Sequence, residues 1–277
     1  MSAETARQSV SLAGRVLART VPFSSGARYL ISHGSNPEEG PILVAVHGIG
    51  RDPDALIHVL SDAAQQHGFT LIAPQFDERR YQDFQRLGRT GLGERADLAL
   101  NDILDDAESL LGLKGKRHIF GFSGGAQFAH RYISAWPGRF ETATLVAAGW
   151  YSNFSQRRQF PRGLAPTSRL PGITFDASAL LRTPTHVIVG ENDTKRDGSL
   201  RQSERLDTQQ GVNRVARAQW FYRQLQKRSR RHGLITDHKF TTLKNCGHDV
   251  VETAVRGNLS EAVFEYILRN SPGHETL

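Results

Sequence analysis

The chain contains a single cysteine, Cys246, among 277 residues. No intramolecular disulfide can form, and a structural zinc site built on several cysteines is excluded. Long apolar runs are also missing. No stretch approaches the roughly 20 apolar residues that cross a bilayer as a helix. The opening segment, MSAETARQSVSLAGRVLART, carries Arg7, Arg15 and Arg19 and no continuous apolar core, so it does not read as a secretory leader. There is no H-E-x-x-H pair, no cluster of His and Asp ligands, no dinucleotide fingerprint and no P-loop. These absences set the first expectations: no metal, no cofactor, no membrane partner and a cytoplasmic location.

What is present is charge of one sign in excess. Lys and Arg number 35 against 28 acidic residues, a net charge of +7. Such a balance fits either a nucleic-acid binder or an enzyme for anionic substrates. The densest basic run, Arg223 to His232, falls late in a predicted helix, where cations complement the helix dipole. No zinc-finger spacing or RNA-binding aromatic motif accompanies it. The run is therefore expected to be a solvated face, and no nucleic-acid partner is expected.

The rest of the chain alternates. Strands are predicted at 27–32, 41–46, 69–74, 117–121, 141–148, 185–190 and 238–243. Helical periodicity runs over 54–66, 94–111, 125–136, 209–231 and 250–269. The run Pro41-Ile-Leu-Val-Ala-Val46 is continuously apolar, as in a strand covered on both faces. Alternating strands and helices imply a mostly parallel sheet with helices on both faces. The expected organisation is one α/β domain over 1–277, with its core from about 22 to 270. Two segments interrupt the alternation, 77–93 and 151–182. Each follows the C-terminal end of a predicted strand, the side on which open α/β sheets bind ligands.

Gly121-Phe-Ser-Gly-Gly125 fits G-x-S-x-G between a predicted strand and a predicted helix. In a nucleophile elbow the serine occupies a sharp strained turn, and small residues two positions away on each side avoid a clash. Ser123 is the candidate nucleophile. A serine hydroxyl needs a base, and His248, after the last strand, is the best placed. An acid should follow a strand between the two. Asp193 is preferred, with Glu191 as runner-up and Asp197 as a third candidate. An oxyanion hole needs the N–H of Gly124 and a second donor from the loop His47-Gly-Ile-Gly-Arg51. That donor is placed at Ile49, with Gly50 as the alternative. His47 is read as a buried structural residue, and Asp249 as the start of the final helix.

These motifs in this order resemble the α/β-hydrolase superfamily over roughly Ala27 to Arg269. His47-Gly48, GFSGGAQFAHRY (121–132), Gly149-Trp-Tyr151 and Gly190-Glu-Asn-Asp193 are most similar to bacterial hydrolases related to polyhydroxyalkanoate depolymerases and feruloyl-esterase-like proteins. The resemblance implies that fold, with a small insertion or lid over 151–182 after its strand 6. It implies a Ser123–His248–Asp193 triad that cleaves a small-molecule carboxylic ester through a covalent acyl-enzyme. The secretion signal and separate substrate-binding domain of secreted depolymerases are not seen, which argues against an insoluble polymer. Tyr81, Arg51, Trp150 and Tyr151 are the candidate substrate contacts. Arg79, Arg80, Arg86, Arg89, Arg157, Arg158 and Arg162 lie in the two long loops, either as solvated charge or as a pocket for a carboxylate-bearing ester. Two further readings stay open: a peptidase or amidase using the same triad, and a non-catalytic ligand-binding protein on this scaffold.

Overall fold

The computed structural model describes residues 15–22 and 25–271. Arg7 and the rest of the opening segment before residue 15 lie outside these residues. Strands β1 (Val16–Thr20), β2 (Arg28–Ser32), β3 (Ile42–Val46), β4 (Thr70–Gln75), β5 (Arg117–Phe122), β6 (Thr142–Val146), β7 (Thr185–Gly190) and β8 (His238–Leu243) form one sheet. Its order is β1-β2-β4-β3-β5-β6-β7-β8. The pairs β1–β2 and β2–β4 are antiparallel, and every pair from β4 to β8 is parallel. The sheet begins at Val16, ahead of the core start expected at about residue 22.

The helices are α1 (Pro53–Gln66), α2 (Ala96–Leu111), α3 (Gly124–Ala135), α4 (Ala179–Arg182), α5 (Glu204–Gln210), α6 (Arg214–Arg231), α7 (Val250–Gly257) and α8 (Leu259–Arg269). Successive strand residues point to opposite faces, and the chain uses this to build two cores. Leu43 and Ala45 of β3 pack with Leu56 and Leu60 of α1 and Val263 and Phe264 of α8. Ile42, Val44 and Val46 join Leu100 of α2, Phe128 of α3 and Phe221 of α6 on the other side. Every residue of β3 is buried, which is why its sequence shows no polar alternation.

Two predicted helices are each divided. The pattern over 209–231 breaks because Gly211 has φ 106° and a Cβ there would lie 2.4 Å from the Cβ of Ala216. Asn213 then caps α6 by accepting from the Ala216 N–H. The pattern over 250–269 breaks at Asn258, which adopts the left-handed conformation with φ 51°. Asparagine tolerates this region better than other side chains because its short amide finds local partners.

The two long loops fold together. The 151–182 segment buries Phe160, Leu164, Leu170, Ile173 and Phe175 in the larger core, and Phe160 stacks on Phe175 at 4.4 Å. The Thr90 N–H donates to the Arg169 carbonyl at 2.8 Å, and the Arg95 guanidinium reaches the Pro171 carbonyl at 3.2 Å. Both loops start at strand ends on one edge of the parallel sheet, the edge on which β5, β7 and β8 also end.

Candidate active site

β5 runs directly into α3, and Ser123 is the hinge residue between them, with φ 53° and ψ −107°. A non-glycine residue held there stores strain on the order of 1–3 kcal/mol, which the surroundings must offset. Here the Ser123 N–H donates to the Val146 carbonyl of β6 at 2.8 Å. The turn works only because its flanks lack side chains. A Cβ on Gly121 would lie 2.3 Å from the Gly125 carbonyl oxygen, and one on Gly125 would lie 1.9 Å from that of Val46.

His248 bridges two of the expected partners. Its Nε2 lies 3.0 Å from the Ser123 Oγ, and its Nδ1 lies 2.7 Å from Asp193 Oδ2. A carboxylate only accepts, so Nδ1 carries the proton and Nε2 is left to accept from the serine hydroxyl. The Phe122 ring stacks on the imidazole at 5.2 Å. The turns carrying the acid and the base are tied to each other. The Glu191 N–H donates to Leu243, and the Asn192 N–H to the Cys246 carbonyl at 2.8 Å. A Cβ on Gly190 would lie 2.4 Å from that same carbonyl oxygen, so the close approach requires glycine.

The runner-up acids have other partners. Glu191 accepts from the Asn245 N–H, and Asp197 accepts from Ser199. Asp249 caps α7 by accepting from the Glu252 N–H at 2.8 Å. His47 is buried. Its Nε2 accepts from the Phe76 N–H at 3.0 Å and its Nδ1 donates to the Gly48 carbonyl at 2.8 Å. Burial holds its pKa down at about 4.

The Gly48–Arg51 turn is closed by the Arg51 N–H on the Gly48 carbonyl at 3.1 Å, which makes Ile49 and Gly50 its central residues. It abuts the elbow. A Cβ on Gly48 would lie 3.5 Å from the Ser123 Cβ, and one on Gly124 would lie 3.1 Å from Ile49 Cγ2. Gly124 is the first residue of α3, where helix N–H groups lack intrahelical acceptors. Of the expected oxyanion donors, Gly124 directly follows the serine and the Ile49 side chain packs against Gly124, whereas a Cβ on Gly50 would meet nothing within 4 Å.

The candidate substrate contacts divide. Trp150 and Tyr151 line a cavity of about 800 Å³ between the long loops. Tyr81 and Arg51 do not. The Tyr81 ring is wholly buried against Phe76, and burial raises its hydroxyl to about 12. Arg51 donates to the Phe76 and Tyr81 carbonyls and lies 5.0 Å from the Phe84 ring centre. Both residues hold the 77–93 loop down, because that loop folds inward instead of standing in solvent. Among the loop arginines, Arg86, Arg89, Arg158 and Arg162 line the cavity, whereas Arg79, Arg80 and Arg157 do not.

Buried arginines are what the sequence reading missed. Arg214 donates to Asp193 Oδ1 at 3.3 Å and to Ser199 at 2.7 Å. Arg217 reaches Asp207 at 2.7 Å and also the Gly149 carbonyl. Arg131 donates to Ser152 and to the Gln85 carbonyl. All three are fully buried. Arg214 and Arg217 share one face of α6 at the i,i+3 spacing, which was the available signal, but arginine spacing alone does not separate an inner face from a solvated one.

A parallel sheet in this order, a strained serine between β5 and α3, an acid after β7 and a histidine after β8 define the α/β-hydrolase fold, and this chain has it. No family model matches the chain, and no curated protein sequence matches it. Solved structures do. Poly(aspartic acid) hydrolase-1 from Sphingomonas sp. KT-1 superposes with a TM-score of 0.74 at 20% identity, over 91% of this chain and 97% of that one. LpqC, a poly(3-hydroxybutyrate) depolymerase from Bordetella parapertussis, gives 0.71 at 20% identity, over 92% and 93%. An S-formylglutathione hydrolase from Agrobacterium tumefaciens gives 0.57 at 14% identity, over 92% and 95%.

Proposed function

We propose that this chain is a serine hydrolase that cleaves a carboxylic ester through Ser123, His248 and Asp193. The observation that carries the reading is the unbroken chain of contacts, 3.0 Å from Ser123 to His248 and 2.7 Å from His248 to Asp193. The fold neighbours support the coarser part, since each is named for hydrolysis of an acyl compound or polymer.

The proposed steps are those of acyl transfer by such a group. Ser123 Oγ attacks the substrate carbonyl carbon as its proton passes to His248 Nε2. Asp193 stabilises the imidazolium and holds its tautomer. The carbonyl oxygen becomes an oxyanion, to which the Gly124 and Ile49 N–H groups donate. The intermediate collapses, His248 protonates the departing alcohol, and the acyl group stays on Ser123. Water, deprotonated by His248, then attacks the acyl-enzyme, releasing the acid and restoring the serine. The same route serves an amide if the leaving amine is protonated in time. A single domain and a cytoplasmic setting, consistent with the buried free thiol of Cys246, belong to the same proposal. Among the described residues no helix is long and apolar enough to cross a membrane.

A fluorophosphonate probe tests the reading. Wild-type protein should become labelled on Ser123, and Ser123→Ala should lose both labelling and ester turnover, by about 10⁶ in kcat. Ester hydrolysis that survives unchanged in Ser123→Ala rejects the assignment. Folded wild-type protein that never labels supports the ligand-binding alternative instead.

A further inference from the structure

The cavity of about 800 Å³ between the two long loops has an unusual wall. It is built from three segments: 83–89 after β4, 150–170 after β6, and 201–210 after β7. β5, whose end carries Ser123, lies inside that span of the sheet, between β3 and β6. One wall also touches the elbow. Phe84 and Gln85 approach within 3.1 and 3.3 Å of where a Cβ on Gly124 would stand, and the next residue, Arg86, lines the cavity.

Seven arginines line the space against one carboxylate, Asp83, a formal excess of six positive charges, and no lysine is among them. Arg86 and Arg89 pair with Asp83 at 2.5 and 3.4 Å. The other five, Arg158, Arg162, Arg169, Arg201 and Arg205, have no carboxylate within 4.0 Å among the described residues. Burial, then the like charges of Arg86 and Arg162, lower the Arg201 guanidinium from its ordinary value. Cations gathered this closely repel one another unless an anion joins them.

The floor beneath them is also built. Trp150 lies over the buried Arg131 guanidinium, 4.3 Å from its ring centre, and within 6 Å of Arg86 and Arg201. Among the described residues Arg131 has no carboxylate within 4.0 Å, although Asp83 lies near enough to act on its charge, and its Nη2 has no hydrogen-bond acceptor. Tyr151 lines the cavity, and its hydroxyl, fully buried, is likewise unpartnered. Unsatisfied buried donors are costly.

We propose that this cavity binds a substrate chain bearing several carboxylates, and holds it so that an acyl bond of the chain meets Ser123. The inference rests on the hydrolase reading for the cleavage step and stands apart from it for the binding step. Guanidinium forks pair bidentately with carboxylates. A volume of about 800 Å³ lies within the usual range for a ligand pocket, and so many cations match a repeated anion better than a single one. A neutral, apolar polyester has nothing to offer this wall.

The test has a kinetic and a binding arm. In the first, kcat/KM is compared for a half-ester of a dicarboxylic acid and its neutral methyl-capped analogue. The acidic ester should be favoured at least tenfold, and the preference should shrink as salt rises from 50 to 500 mM. Arg162→Gln with Arg201→Gln should bring the ratio toward one. Arg162→Glu with Arg201→Glu should turn the preference toward a cationic ester, which a misfolded protein cannot do. In the second arm, Ser123→Ala is titrated with an aspartate decamer, which should bind, and with a serine decamer, which should not. Equal kcat/KM for both esters in protein that still labels on Ser123 overturns the carboxylate site and leaves the hydrolase. Decamer binding by protein that neither labels nor hydrolyses supports the site and rejects the hydrolase. Tighter binding of a deoxythymidine decamer than of the aspartate decamer overturns the commitment to carboxylates.

Discussion

Asp193 accepts from two directions, from His248 on Oδ2 and from Arg214 on Oδ1. Both the arginine and the aspartate are fully buried. Removing one partner of a buried ion pair leaves a desolvated charge, a change worth about 3–5 kcal/mol. Arg214→Met should therefore lower the melting temperature clearly, and it should lower kcat by about tenfold or more, because the carboxylate is free to rotate away from the imidazole. Thermal melts and steady-state kinetics on one ester check both parts. A variant with wild-type kcat shows that His248 alone orients the acid. Arg214 was not legible in the sequence. Its role depends on a contact 21 residues away in the chain, and no local pattern encodes that.

The elbow and the turn after β3 make a matched pair of elements. Both are glycine-rich, yet their glycines stand in opposite surroundings. A Cβ on Gly125 meets the Val46 carbonyl at 1.9 Å, whereas a Cβ on Gly50 meets nothing within 4 Å. Gly125→Ala should fail to give soluble folded protein, or lose at least about 4 kcal/mol, since the clash is with backbone of the central sheet. Gly50→Ala should change the urea midpoint little, because it keeps the N–H and adds a methyl to open space. A folded, fully stable Gly125→Ala rejects the packing described here. At this scale the sequence was informative where a strand or helix carried its own period. The ends of β3, β5 and β7 and the elbow between β5 and α3 were all legible. The divisions at Gly211 and Asn258 were not, because each leaves the apolar period on both sides unbroken.

The whole molecule carries buried histidines away from His248, and these contribute to its response to acid. Burial holds His47 and His238 at about 4, and burial with nearby Lys239 and Arg269 holds His186 at about 3. In the unfolded chain each titrates near 6.5. Between those values the unfolded state binds protons that the folded state refuses, so stability rises with pH in this window. The contribution is complete above about pH 6.5 and is lost as pH falls toward 4. A single histidine of this kind costs on the order of 2 kcal/mol at pH 5. Melting temperature should fall steadily from pH 7 to pH 4.5. A flat profile over that range rejects the neutral, buried state of these rings.

The sequence by itself determined the alternation of strands and helices, the elbow at Ser123 and the order serine, acid, histidine. Each is written in local terms: a hydrophobic period, a glycine pair, a turn after a strand. Only the tertiary structure decided which acid meets His248, because Glu191, Asp193 and Asp197 share one turn and differ only in direction. It also decided which arginines matter. Charge is readable in a sequence, but burial and neighbourhood are not. Residues from 83 to 205 had to be brought to one edge of one sheet before scattered loop cations became the wall of a single cavity.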